Sequence, residues 1–133
     1  NALAARAAEG ADGLVADTRF SGTRADPHVR GAFTGIGRNN LTPAHLSRAV
    51  IEGMVRELVE LGQAAGIDRV SRIVATGNAV RMNPLAAETI ARLSGLPCRV
   101  SDTEEEACLG AAYCAAVGLG VISADDVLGG KRA

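Results

Sequence analysis

Residues 72–84, with the sequence RIVATGNAVRMNP, combine a short strand, a glycine turn and the beginning of a helix. The apolar run from Arg72 to Thr76 is typical of a buried strand, and Gly77 interrupts it. Asn83 followed by Pro84 predicts the start of a helix. A glycine directly after a strand lets a ligand approach the backbone, and ligands of open α/β sheets collect at the carboxyl ends of strands. This turn is therefore a candidate binding site, although most such turns bind nothing and the residues alone favour an ordinary turn.

A long helix precedes this stretch. Thr42 followed by Pro43 predicts its first turn, and Gly66 predicts its end. Apolar residues recur along it at three- and four-residue spacing and give one apolar stripe. The stripe consists of Leu46, Val50, Gly53 or Met54, Leu58 and Leu61.

Shorter elements follow. The helix that begins at Asn83 runs to about Ser94, and residues 98–100 form the next short strand. Thr103 and Glu106 have the spacing of a capping box, which predicts a third helix through Ala116.

The rest of the chain is less regular. Residues 2–9 are predicted to be the tail of an alanine-rich helix, residues 13–16 a short strand, and residues 19–40 a long loop. Residues 123–126 cap a last helical turn. The alternation of helices and strands with short connections predicts an α/β protein with helices packed on a mostly parallel sheet.

Composition limits the functional classes. The 133 residues are enough for one domain, and 47% apolar with 22% charged residues argues against disorder. A net charge of −1 gives no basic surface, so we expect neither nucleic acid nor a membrane as the main partner. No apolar run has the roughly 18 residues of a membrane span, and no secretory signal is visible. A cytoplasmic location is expected.

The cysteines and histidines suggest no metal site. Cys98, Cys108 and Cys114 include no CxxC pair, so neither disulfides nor a structural zinc site is predicted, and buried free thiols are expected. His28 and His45 lie far apart and outside any metal-binding motif.

Two further stretches carry candidate residues. Residues 101–112 place three glutamates before Gly110, and a glycine inside a helix suggests close packing of another helix or of a ligand ring. The glycine-rich loop around Arg24 and Asp26 could hold a substrate, but such pairs more often pin a long loop to its domain.

These motifs, in this order, resemble the C-terminal lobe of the FGGY carbohydrate kinases. The resemblance extends from about Gly13 to Gly120 and rests on several motifs at once. They are Gly22-Thr23-Arg24, Arg30 to Gly35, Ala49-Val50-Ile51-Glu52-Gly53, the turn Gly77-Asn78-Ala79, and Glu105 with Leu109-Gly110-Ala111-Ala112. Within the family, residues 40–46 and 76–80 most resemble the sedoheptulokinase branch.

The resemblance implies an actin-like, ribonuclease-H-like lobe of an enzyme that transfers the γ-phosphate of ATP to a sugar or polyol hydroxyl with Mg²⁺. It also implies that this lobe supplies the adenosine site, with Met82 or Asn83 near the adenine edge and Gly110 beneath the nucleotide. The expected site residues are Gly77, Asn78, Ala79, Asn83 and Gly110.

The family's catalytic aspartate, sugar contacts and phosphate loop have no counterpart in the sequence. We therefore assign no catalytic residue and no metal ligand, and expect residues 1–133 to be about the last quarter of a kinase, without its sugar-binding lobe and without turnover of their own. The expected partners are ATP and a small sugar, with self-association through an exposed apolar face. Two alternatives remain open: a non-catalytic interaction module derived from a kinase lobe, and a fragment of another actin-like ATPase of the acetate-kinase or glucokinase type.

Overall fold

The computed structural model describes residues 2–129, without the side chains of residues 68, 128 and 129. The chain forms two compact units, one ending at Val100 and one beginning at Ser101, and each is described by itself. No helix among the described residues is long and apolar enough to cross a membrane.

Four short strands lie in the first unit. Strands β1 (Val15–Asp17) and β2 (Ala32–Thr34) pair antiparallel, with Ala16 opposite Phe33. Strands β3 (Ile73–Ala75) and β4 (Cys98–Val100) pair in parallel, with Val74 opposite Arg99. The two pairs form separate two-stranded sheets, and the β3–β4 pair is the parallel one. Strand β2 lies inside the segment for which a loop over residues 19–40 was predicted.

The first unit also contains three α-helices. Helix α1 (Pro43–Ala64) begins where predicted, because the Thr42 side chain accepts a hydrogen bond from the His45 backbone N–H. It ends before Gly66, which has a left-handed conformation with φ of 85°. Helix α2 (Asn78–Arg81) is a single turn that the sequence analysis missed. Helix α3 (Pro84–Ser94) begins and ends as predicted, with left-handed Gly95 as its C-cap.

Only the first part of the predicted apolar stripe of α1 faces the core, where Leu46 and Val50 pack. Met54, Leu58 and Leu61 are exposed, whereas Arg48 and Glu52 are buried. These two charged side chains form an ion pair, with 2.7 Å between Arg48 Nε and Glu52 Oε1. They share the buried face of α1 with Ala49, Ile51, Val55 and Val59. The small core consists of Ala11, Leu14, Ala16 and Ala49, with Phe33, Leu46 and Val50 packed against it.

The predicted helix tail over residues 2–9 is wrong. The segment contains two short 3₁₀ turns, Ala4–Arg6 and Glu9–Gly13. In the second turn Ala11 and Asp12 have positive φ angles of 47° and 50°, which cost about 1–2 kcal/mol per residue.

Contacts from distant residues hold this left-handed turn. Gly10 N–H donates to Glu52 Oε1 at 3.1 Å, and the Asn40 side chain donates to the Asp12 carbonyl at 2.9 Å. His45 Nε2 lies 2.8 Å from Asp12 Oδ2. Tertiary contacts therefore override the local preference for a right-handed helix.

The second unit contains two helices, α4 (Glu106–Gly118) and α5 (Ala124–Gly129). The predicted capping box of α4 is wrong: Glu105 is the N-cap, in a left-handed conformation, and its side chain makes no cap hydrogen bond. The predicted cap of α5 is confirmed, because Asp126 N–H donates to Ser123 Oγ and Ser123 N–H donates to the Asp126 carboxylate. The Ser123 hydroxyl, which donates to Asp126 Oδ2 at 2.7 Å, and the Ser123 N–H hold the pKa of Asp126 below its usual value.

All three cysteines are free thiols, as predicted. Their expected burial is wrong for two of them, because Cys108 and Cys114 are exposed. Both lie on α4, none of whose residues is buried. Cys98 is half-buried in β4, and that burial raises the pKa of its thiol.

Candidate functional site

Gly77 forms an open turn between β3 and α2. Its φ of 94° and ψ of 162° lie in a region that a residue with a side chain rarely adopts. A Cβ placed on Gly77 would meet no atom within 4 Å. The prediction that Gly77 lies at a strand-to-helix turn and faces open space is therefore confirmed. Asn78 and Ala79 follow it as the first, exposed residues of α2.

Asn83 occupies the N-cap position of α3 but does not cap the helix, since its side chain accepts no hydrogen bond from the first turn. Its Oδ1 atom is buried and has no hydrogen-bond partner. A buried acceptor without a partner costs about 1–3 kcal/mol. A ligand that donates a hydrogen bond to this atom would recover that cost.

Asn83 lines a groove of about 410 Å³ between α1 and the start of α3, here called the α1–α3 groove. Apart from Asn83 and one serine, its walls are apolar side chains of α1. These apolar residues are Leu46, Val50, Ile51 and Met54, and the serine is Ser47. These residues were not predicted to line a site, and the signal that could have indicated them is the apolar stripe of α1.

The structure brings together four of the five predicted site residues in the first unit: Gly77, Asn78, Ala79 and, one helical turn later, Asn83. Gly110 lies in α4 of the second unit. A Cβ placed on Gly110 would have no atom of that unit within 4 Å. Close helix packing inside that unit therefore does not explain this glycine. Met82, the alternative to Asn83, is 80% exposed.

A second cavity, of about 600 Å³, lies between the β1–β2 pair and the C-terminal half of α1 and is here called the Asp17 cavity. Arg19 Nε donates to Asp17 Oδ1 at 2.8 Å, and a second bond joins Arg19 Nη2 to Asp17 Oδ2. The side chains of Arg56, Glu57 and Glu60 also line this cavity.

The ion pair in this cavity gives a pH prediction. Side-chain and backbone hydrogen bonds from Arg19 lower the pKa of Asp17 to about 2. A carboxyl group whose folded pKa lies below its unfolded value stabilises the fold above the unfolded pKa, and this stabilisation is lost as the pH falls toward the folded pKa. The melting temperature should therefore fall as the pH decreases from about 4 to about 2. In Asp17→Asn this part of the pH dependence should be absent. An equal decrease of the melting temperature with pH in the two proteins would contradict the assignment.

The loop around Arg24 holds itself in place. Thr23 Oγ1 accepts a hydrogen bond from Asp26 N–H at 3.0 Å, and His28 N–H donates to Asp26 Oδ1 at 2.8 Å. Arg30 donates to the carbonyls of Pro27 and Val29. All of these bonds lie within residues 23–30, so they hold the shape of the loop itself, and both interpretations of Arg24 and Asp26 stay predictions.

The candidates for a metal site are clusters of ligand side chains among the described residues. Within residues 2–129 no group of three or more His, Cys, Asp or Glu side chains is arranged to hold a metal ion. We assign no Mg²⁺ ligand and no acceptor base to these residues.

Comparison with known proteins gives the family. A model of the C-terminal domain of the FGGY family of carbohydrate kinases matches residues 1–119. The chain is 35% identical over 130 residues to a glycerol kinase of Thermus brockianus. The aligned region covers 92% of this chain and 26% of that protein. The chain thus spans about a quarter of the length of such relatives.

Solved structures give the fold. A xylulose kinase of Lactobacillus acidophilus has a TM-score of 0.78 at 24% identity, over 92% of this chain and 26% of that one. A glycerol kinase of Plasmodium falciparum solved with ADP has a TM-score of 0.71 at 22% identity, over 96% of this chain and 26% of that one. The predicted α/β class and actin-like lobe are confirmed. The chain belongs to the FGGY family of carbohydrate kinases and corresponds to its C-terminal domain.

Proposed function

We propose that this chain supplies the adenosine-binding part of a kinase that transfers the γ-phosphate of ATP to a hydroxyl of a sugar or polyol. Membership of the FGGY family and 35% identity to a glycerol kinase support the reaction class. The related Plasmodium falciparum kinase, whose structure contains ADP, supports the choice of nucleotide. The proposed site residues are Gly77, Asn78, Ala79, Asn83 and Gly110.

The observation that carries the adenosine site is the buried Asn83 Oδ1 without a partner in the apolar α1–α3 groove. Adenine is flat and carries an exocyclic amino group that donates hydrogen bonds, so it complements an apolar wall with one acceptor. At the ring position where adenine carries this amino group, guanine carries a carbonyl oxygen. Two acceptors, that oxygen and Asn83 Oδ1, would then face each other. The groove is therefore expected to prefer adenine nucleotides.

The turn at Gly77 suits the rest of the nucleotide. With no side chain at this position and open space around it, a ribose or phosphate can approach the backbone. The alanine at position 79 adds little bulk. The role of Gly110 beneath the nucleotide stays a prediction of the resemblance.

Transfer itself needs groups that we do not place in this chain. In phosphoryl transfer Mg²⁺ neutralises charge on the β- and γ-phosphates, and a positioned carboxylate orients the acceptor hydroxyl. The residues at the proposed site bind and orient adenosine only. The 133-residue chain is therefore expected to bind ADP weakly and to release none from ATP in a coupled assay with glycerol or xylulose.

Equilibrium titration with ADP and GDP tests the adenosine site. The unaltered chain should bind ADP more tightly than GDP, and Asn83→Ala should weaken ADP binding about threefold to tenfold, the value of one hydrogen bond. Asn39→Ala, which changes an exposed asparagine, is the matched control and should bind as the unaltered chain does. Equal affinity of Asn83→Ala and Asn39→Ala for ADP would refute the assignment.

The acceptor sugar is the second part of the proposal. Residues 40–46 and 76–80 favour a ketose such as sedoheptulose, whereas the curated relatives are named glycerol kinases. Turnover of sedoheptulose, xylulose and glycerol by the longest polypeptide that the gene encodes would decide between them. If that reading frame encodes no sugar-binding lobe, the non-catalytic interaction module becomes the better interpretation.

A further inference from the structure

An ion-pair network joins α1 to α3 where an apolar contact would be the usual solution. Arg48 and Glu52 are 6% and 4% exposed. Glu52 Oε1 accepts hydrogen bonds from Arg48 Nε at 2.7 Å and from Gly10 N–H at 3.1 Å. The same oxygen lies 2.9 Å from Arg92 Nη2 of α3. A single carboxylate oxygen therefore connects the left-handed 3₁₀ turn, α1 and α3.

The positive and negative charges in this network are equal in number. Arg92 also lies 3.8 Å from the exposed Glu9 carboxylate, so two carboxylates face two guanidinium groups. Burial alone would raise the pKa of Glu52, but the bonds from Arg48 and Gly10 and the charge of Arg92 lower it overall. Glu52 is therefore charged at neutral pH and attracts both arginines.

Such a network fixes orientation in a way that apolar contact does not. Hydrophobic contact is non-directional, so it holds two helices together at several relative offsets. Hydrogen bonds to one buried carboxylate are directional, and losing one partner leaves charge without compensation. The Glu52–Arg92 contact thus favours one placement of α3 against α1.

This placement determines the shape of the α1–α3 groove. Helix α1 supplies the apolar wall, and Asn83, directly before α3, supplies the buried acceptor. Arg92 lies near the other end of α3 and does not line the groove. We propose that Arg92 is a positioning residue for nucleotide binding: through Glu52 it sets how deep Asn83 Oδ1 lies in the α1–α3 groove. For its ligand this inference rests on the proposed function.

Arg92 variants test the inference, because one third of this side chain is exposed and its replacement leaves the Arg48–Glu52 pair intact. In Arg92→Gln the Kd for ADP should rise about threefold to thirtyfold. This is the range of effects on binding that substitutions of residues without ligand contact produce. Arg92→Lys keeps the charge but not the planar fork, so its Kd should lie between those of Arg92→Gln and the unaltered chain. Arg38→Gln, at an exposed arginine, should bind ADP as the unaltered chain does.

Amide hydrogen exchange separates positioning from general loss of stability. At a temperature where all variants are folded, exchange in the first turn of α3 should be faster in Arg92→Gln, and exchange in β1 and β2 should be unchanged. Unchanged ADP affinity in Arg92→Gln overturns this inference and leaves the proposed function intact. Failure of the unaltered chain to bind ADP overturns the proposed function, and with it this inference.

Discussion

Replacing Glu52 with glutamine is expected to lower the free energy of unfolding of the first unit by about 3–5 kcal/mol, a large part of the stability of a typical domain. The substitution removes the one negative charge that Arg48, at 6% exposure, contacts inside the protein. It also weakens the acceptor of Gly10 N–H, and with it one of the contacts that hold the left-handed turn. Urea unfolding followed by far-ultraviolet circular dichroism measures the change, because the chain has no tryptophan.

Two comparisons make this prediction specific. Glu60→Gln, on the exposed side of the same helix, should change the free energy of unfolding by no more than about 0.5 kcal/mol. The double variant Arg48→Met with Glu52→Leu replaces the buried ion pair with apolar side chains and should recover much of the loss. Equal unfolding midpoints for Glu52→Gln and Glu60→Gln would show that the buried network has no energetic role.

Gly53→Ala should destabilise the chain by about 1–3 kcal/mol, although alanine normally stabilises the interior of a helix. A Cβ on Gly53 would lie 2.3 Å from the Ala16 carbonyl oxygen, a backbone atom of β1 that cannot rotate away. Either α1 or β1 must shift, and the small alanine core between them would lose contacts.

The matched control for Gly53→Ala is another helical glycine. A Cβ on Gly118 of α4 would meet no atom within 4 Å, so Gly118→Ala should leave the melting temperature unchanged or raise it. Opposite signs for the two variants in thermal melts are the expected result. A stabilising Gly53→Ala would mean that α1 does not pack as closely on β1 as the structure has it.

Much of the fold follows from local signals in the sequence. Thr42 with Pro43, and Asn83 with Pro84, mark the starts of α1 and α3, because proline suits the first helical position. Gly66 and Gly95 end these helices in left-handed conformations that other residues avoid. The parallel pair β3–β4 follows from two short apolar runs separated by a helix.

The parts that were not predicted depend on contacts between distant residues. Ala11 and Asp12 adopt positive φ because Glu52, Asn40 and His45 bind the turn that contains them. Met54, Leu58 and Leu61 are exposed because α1 turns another face inward. That face carries Ile51, Val55 and Val59 together with the buried Arg48–Glu52 pair, and apolar periodicity alone does not tell the two faces apart.

The candidate site divides in the same way. The open turn at Gly77 could be predicted, since a strand and a glycine adjoin in the sequence. The α1–α3 groove could not, because it exists only once α1 and the start of α3 lie side by side. The sequence therefore indicated the backbone part of the site but not the apolar wall beside Asn83.

Mapping ADP onto the uniformly ¹⁵N-labelled chain by NMR tests most directly whether the Gly77 turn and the α1–α3 groove bind adenosine. ADP is expected to shift the amide resonances of Gly77, Asn78 and Ala79 and the side-chain amide resonances of Asn83, and GDP is expected to shift them less. The resonances of Arg19 and Arg56 in the Asp17 cavity should stay unchanged. Shifts confined to the Asp17 cavity, or no shifts at saturating ADP, would contradict adenosine binding at the turn and the groove.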